Sequence, residues 1–106
     1  MTNKEIKKVM LIQPMLGRNE DEIKREREMI TEAIKSNGQE VINTLFTEEA
    51  PKDSKQALWY LGKSIQAMAE ADTVLLLPNW REARGCKIEY ECAKAYGIET
   101  VEIKLV

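Results

Sequence analysis

The stretch Ala71-Asp72-Thr73-Val74-Leu75-Leu76-Leu77-Pro78-Asn79-Trp80-Arg81-Glu82-Ala83-Arg84-Gly85-Cys86-Lys87-Ile88-Glu89 decides the fold. Thr73–Leu77 is a short, almost wholly apolar run, the signature of a strand buried on both faces and hence of a parallel sheet. Pro78 stops it, a polar loop follows, and Ile88 to Tyr96 reads as a helix. Strand, loop and helix start bring backbone N–H groups and a carboxylate to one spot. In an open parallel sheet that spot, beyond the carboxyl ends of the strands, is where ligands bind.

The same grammar extends in both directions. Upstream, Lys8-Val9-Met10-Leu11-Ile12-Gln13 is a first strand and Pro14-Met15-Leu16-Gly17-Arg18 a loop. Asn19 is a good N-cap, and Glu20, Asp21 and Glu22 suit the positive end of a helix dipole. Ile23, Ile30, Ala33 and Ile34 make that helix's apolar stripe, and Asn37-Gly38 ends it. Its outer face pairs Glu20 with Lys24 and Asp21 with Arg25 at i,i+4, a solvated surface. Glu40–Asn43 is a short second strand. After a long connection containing Pro51, Asp53 or Ser54 caps a second helix whose stripe is Leu58, Leu61, Ile65, Met68 and Ala69. The third helix buries Ile88, Cys92 and Ala95 and ends at Tyr96-Gly97; Thr100–Ile103 is the last strand. The order β-α-β-α-β-α-β with right-handed crossovers predicts a single α/β domain over 1–106. It is a flavodoxin- or Rossmann-like three-layer sandwich whose four-stranded parallel sheet has order 2-1-3-4, with the switch point between strands 1 and 3.

Composition narrows the chemistry. A formal net charge of −2 over 106 residues gives no electrostatic footprint for nucleic acid. No apolar run approaches the ~20 residues of a membrane span. Met1–Lys8 lacks the layout of a signal peptide, so a cytoplasmic location is the expectation. Cys86 and Cys92, on one helix, stand roughly 9 Å apart at ~1.5 Å rise per residue, too far for a disulfide. With no histidine in the chain, a serine–histidine triad is excluded and no metal site is expected. No cofactor is called for. Acid–base chemistry falls to carboxylates, tyrosine, lysine or cysteine.

The topology gathers Gln13 to Gly17, Asn43 to Phe46 and Pro78 to Gly85 at one edge, bordered by Trp59 and Tyr60. The candidate ligand contacts are Gln13, Pro14, Met15, Gly17, Asn43, Asn79, Trp80, Arg84, Gly85 and Cys86. Trp80 would stack on a flat ligand while Asn79 or Gln13 bonds its edge. Gly85 admits close backbone approach, and the amides of Gly85 to Ile88 favour a phosphate. Glu89, about one turn into the helix, is expected to be held ionised by the dipole and able to attack an anomeric carbon. Cys86, nearer the helix start, is a candidate for a lowered pKa. Each has a purely structural alternative: a first-turn glutamate placed for charge, a cysteine that is simply a small residue, a tryptophan covering the core edge, a turn glycine.

Together, Ala71-Asp72, the apolar strand and Gly85-x-x-x-Glu89-x-x-x-Ala93-x-x-x-Gly97 resemble the nucleoside 2-deoxyribosyltransferase superfamily, most of all its small phage and bacterial members. Val9 to Gly17 is similar to that family's opening strand and sugar-binding loop. The resemblance implies a nucleoside or nucleotide ligand, Glu89 as the nucleophile that forms a glycosyl-enzyme, and a homo-oligomer whose neighbours complete each pocket. The family's aspartate that protonates or binds the base falls at Ser64, its aspartate before the motif glycine falls at Ala83, and the first loop lacks the family's tyrosine. Three functions follow: an N-glycosidic enzyme, a non-catalytic binder of a nucleotide or ADP-ribose-like signal, and a structural oligomer with Trp59, Tyr60 and Trp80 at its interface.

Overall fold

The computed structural model describes residues 6–104; Met1–Glu5, read above for a signal peptide, lie outside the described residues. The elements are β1 (Lys8–Ile12), α1 (Glu20–Ser36), β2 (Glu40–Val41), α2 (Gln56–Met68), β3 (Thr73–Leu76), a single 3₁₀ turn (Trp80–Glu82), α3 (Arg84–Ala95) and β4 (Glu99–Glu102). All strand pairs are parallel and the sheet order is β2-β1-β3-β4, as the sequence predicts. β1 and β3 form the centre, with Val9 opposite Thr73 and Ile12 opposite Leu76. Asp72 locks the start of that pairing: its Oδ2 accepts from the Lys8 amide at 2.8 Å, and its own amide donates to the Lys8 carbonyl.

Alternation along the central strands divides the core in two. Met10, Ile12, Val74 and Leu76 pack with Met68 of α2 and with Trp80, Cys86 and Ala93 around α3. Val9, Leu11 and Leu77 pack with Ile34 of α1. The layers are therefore α1 on one face and α2 with α3 on the other. No helix among the described residues is long and apolar enough to cross a membrane.

The helix faces differ from the periodic reading. In α1, Ala33 is exposed, while Arg27, on the stripe between Ile23 and Ile30, is buried. Asn19 caps α1 as expected, accepting from the Asp21 amide at 2.7 Å. The expected Asp21–Arg25 pair is instead a weak bond from Arg25 Nε to the Asp21 carbonyl, at 3.5 Å. In α2 only Met68 is buried, and Leu58 is 61% exposed. Neither Asp53 nor Ser54 caps α2: Lys55 holds that position without a side-chain bond, and the Ser54 hydroxyl donates to the Pro51 carbonyl. α3 starts four residues earlier than read and turns Cys86 and Ala93 inward; Ile88 is 40% exposed and Ala95 lies on the surface.

Candidate functional site

Three loops meet at the carboxyl edge of β1 and β3, and their side chains sort into separate groups. The first is centred on Gln13, the residue after β1. Its amide nitrogen donates to the Ile23 carbonyl and to Glu26 Oε1, both at 2.9 Å, while its carbonyl oxygen accepts from Arg27 Nε at 3.1 Å. Gln13 is thus spent on the protein rather than held open for a ligand, because a buried amide must find partners. Arg27 also donates from a terminal nitrogen to Thr44 Oγ1 at 3.2 Å, which ties the β2–α2 loop to α1. Arg27 and Thr44 were not singled out from the sequence. The available signal was a charged residue four places after Ile23, inside an otherwise apolar stripe.

Glu89 joins this group from α3. Burial pushes its carboxyl up to about 7, against the opposing pull of the Arg27 positive charge. This corrects the expectation of a dipole-held carboxylate. Because α3 opens at Arg84, Glu89 is beyond the first turn, where the dipole acts, and desolvation dominates. The same burial, reinforced by the Glu89 charge, pushes the Cys86 thiol up to about 12. Cys86 is a core side chain, and the raised pKa is the reverse of the lowering expected for a residue nearer the helix start. Both cysteines are free.

A second group forms around the β3–α3 loop. Asn79 adopts a left-handed backbone (φ 68°), which asparagine tolerates better than most residues. It opens the 3₁₀ turn that carries Trp80. Trp80, expected to stack on a ligand, is 5% exposed: its ring packs on Tyr90 at 4.5 Å and its Nε1 donates to Glu102 Oε1 at 3.1 Å. Arg81 lies over the ring at 4.5 Å and pairs with Glu102 at 2.6 Å. These bonds hold Glu102 below the usual carboxylate range. Trp80 is a structural pin between the loop, α3 and β4. A depression of about 240 Å³ beside it is lined by Pro78, Asn79, Trp80, Arg81, Glu82, Glu102 and Ile103.

The remaining candidates are scattered. Pro14 is buried and its carbonyl accepts from Arg18, whose guanidinium also pairs with Glu26 at 2.9 Å. Met15 is exposed, and Gly17 (φ 76°) supplies the turn closed by the Arg18 amide on the Met15 carbonyl. Asn43 is exposed and its Oδ1 accepts from the Leu45 amide at 3.0 Å. Gly85 faces α2: a Cβ there would sit 4.0 Å from a Leu61 methyl. Arg84 lines a broad groove of about 400 Å³ on the outer face of α3 with Lys87, Ile88, Glu91, Cys92, Ala95 and Tyr96. Glu89 is absent from that lining. The earlier helix start also moves the free amides, since Lys87 already donates to the Ala83 carbonyl, leaving Arg84 to Cys86 rather than Gly85 to Ile88 at the open end. Tyr60, placed at the border from sequence, donates to the Glu48 carbonyl at 2.9 Å and accepts from the Ala50 amide, fixing the β2–α2 loop. Trp59 meets Tyr60 edge-on at 5.0 Å and carries Lys63 over its ring.

Fold and site define a parallel α/β domain with a desolvated arginine and, near it, a partly buried glutamate whose carboxyl pKa is raised by burial, at the carboxyl edge of its central strands. The chain belongs to the family described as domain of unknown function DUF4406, whose pattern matches residues 7–102. No curated protein matches it significantly in sequence.

Proposed function

We propose that the protein cleaves or transfers the N-glycosidic bond of a nucleoside or nucleotide, with Glu89 as nucleophile. The observation that carries this reading is the Glu89 carboxyl, partly buried at the carboxyl edge of a parallel sheet and titrating near 7. A nucleophile poised there is ionised in a fraction that grows through neutral pH, in surroundings that favour attack over solvation. The carboxylate attacks the anomeric carbon as the bond to the base breaks; the bonding electrons leave with the base, which takes a proton. Water or a second base then attacks the same carbon and frees the carboxylate. The resemblance of Gly85, Glu89, Ala93 and Gly97 to the nucleoside 2-deoxyribosyltransferase superfamily supports the reading. Part of that motif is explained by the fold alone: Ala93 is fully buried, and Gly97 (φ 71°) ends α3.

A second reading, binding a nucleotide without turning it over, is favoured by one observation. Arg27 is the charged group that acts on Glu89, and among the described residues no carboxylate does so. The departing base then draws its proton from solvent, which suits only good leaving groups. Incubating the protein with nucleosides, deoxynucleoside monophosphates and ADP-ribose compounds, with and without a second free base, separates the two. Free or exchanged base formed by the native protein and not by Glu89→Ala establishes catalysis; retention of an intact compound without turnover establishes binding. Neither outcome in any sample would overturn both readings.

A further inference from the structure

Arg27 is the one charged side chain among the described residues that is buried, at 7% exposure. Its mapped bonds go to neutral acceptors, Gln13 Oε1 and Thr44 Oγ1. The cations that form ion pairs here are others: Lys8 with Glu70, Arg18 with Glu26, Lys63 with Glu48 and Arg81 with Glu102. Glu26, its neighbour in sequence, is engaged by Arg18 and Gln13. Glu89 acts on Arg27 only across space, and its own burial favours the neutral carboxyl. A desolvated guanidinium is costly without an opposite charge, and its planar fork fits the oxygens of a phosphate. Gln13 and Thr44 meanwhile fix the plane of that fork, so a ligand need not order it.

We infer that the Arg27 guanidinium, held by Gln13 and Thr44, anchors a phosphate monoester of the ligand at the carboxyl end of β1. The inference rests on the nucleoside or nucleotide reading above and narrows it to the phosphorylated class. The phosphate supplies a counter-charge in direct contact, which no carboxylate among the described residues gives Arg27; Glu89 acts on it only at longer range.

The test compares, by titration calorimetry, a set of deoxynucleosides, their 5′-monophosphates and inorganic phosphate. A monophosphate is expected to bind about tenfold or more tightly than its nucleoside, the range of a charge-assisted bond to arginine, and Arg27→Met is expected to erase the difference. Equal affinity for both forms, or a preference that survives in Arg27→Met, would overturn the inference while leaving the nucleoside reading standing. Should Arg27→Met fail to fold, the native protein decides: the Arg27 side-chain Nε resonance is expected to move on adding inorganic phosphate, and a resonance that stays fixed at saturating monophosphate overturns the inference. A resonance that moves with phosphate, in a protein that binds no nucleoside in either form, keeps the anion site and dismisses the nucleoside reading.

Discussion

Replacing Glu89 by glutamine removes a charge that the fold desolvates and keeps the side chain's volume. The ordinary carboxyl titrates at 4.5 and the folded one at about 7. Between those values the folded chain keeps a proton that the unfolded chain has lost. The resulting stability is fully present below pH 4.5 and disappears as pH rises through 7. At about 1.4 kcal/mol for each tenfold in the protonation equilibrium, the whole effect is about 3 kcal/mol, most of which falls between pH 5 and pH 8. Glutamine has no such dependence, and the cost of burying its amide is the same at both pH values. Urea denaturation of both proteins at pH 5 and pH 8 reads the effect, since other titrating groups are common to the two and cancel. The native protein is expected to lose about 2–3 kcal/mol more than Glu89→Gln over that interval, with unchanged slopes. Pairs of curves that shift in parallel, to within about 0.5 kcal/mol, would refute the reasoning and return Glu89 to the status of a solvated surface acid.

Other predictions test the corrected residue roles. At pH 8 a thiol reagent is expected to label Cys92 in the folded protein and both cysteines only in denaturant; rapid labelling of Cys86 in the native state would contradict its burial. Gly85→Ala is expected to raise stability by about 0.5 kcal/mol through helix propensity, because the new methyl meets Leu61 at an ordinary contact distance. Loss of nucleotide affinity in that variant would instead mean that a ligand approaches the backbone there. Trp80→Phe is expected to move the titration of Glu102, followed by carboxyl NMR, up toward the usual range, since the indole donor helps hold it down. Gly17→Ala is expected to cost about 1 kcal/mol in a denaturation midpoint, because its φ is positive.

The strands were readable because their side chains are needed on both faces: Val9–Ile12 and Thr73–Leu77 are apolar without alternation, and that alone separates a central parallel strand from an amphipathic one. Helix orientation was less legible. Isoleucine is the more apolar residue, so periodicity turned Ile88 inward, but α3 packs its small residues, Cys86 and Ala93, against the sheet and leaves Ile88 half-exposed. Gly85 reads in sequence as a turn residue or a ligand contact, yet it sits where α3 faces Leu61 of α2 and needs no special backbone angle. Glu89 was found by its place after a strand and loop, whereas its protonation was misjudged because depth below the surface is a tertiary property. Arg27 was hidden by convention, since a charged residue on a helix is assigned to water unless its partners are known, and Gln13 and Thr44 lie 14 and 17 residues away.

The pairing of β1 with β3 also has a consequence for synthesis. β1 is central in the finished sheet, and Val9 waits for Thr73, with two helices and an edge strand made in between. Until then α1 can shelter Val9 and Leu11, but Met10 and Ile12 face a layer that does not yet exist. Closing that gap joins residues 64 positions apart at the Lys8–Asp72 lock, so the nascent chain carries a sticky, half-built sheet until β3 has been made. A chain released before β3 has no core to settle into, and its fate falls to chaperones and proteases rather than to its own folding.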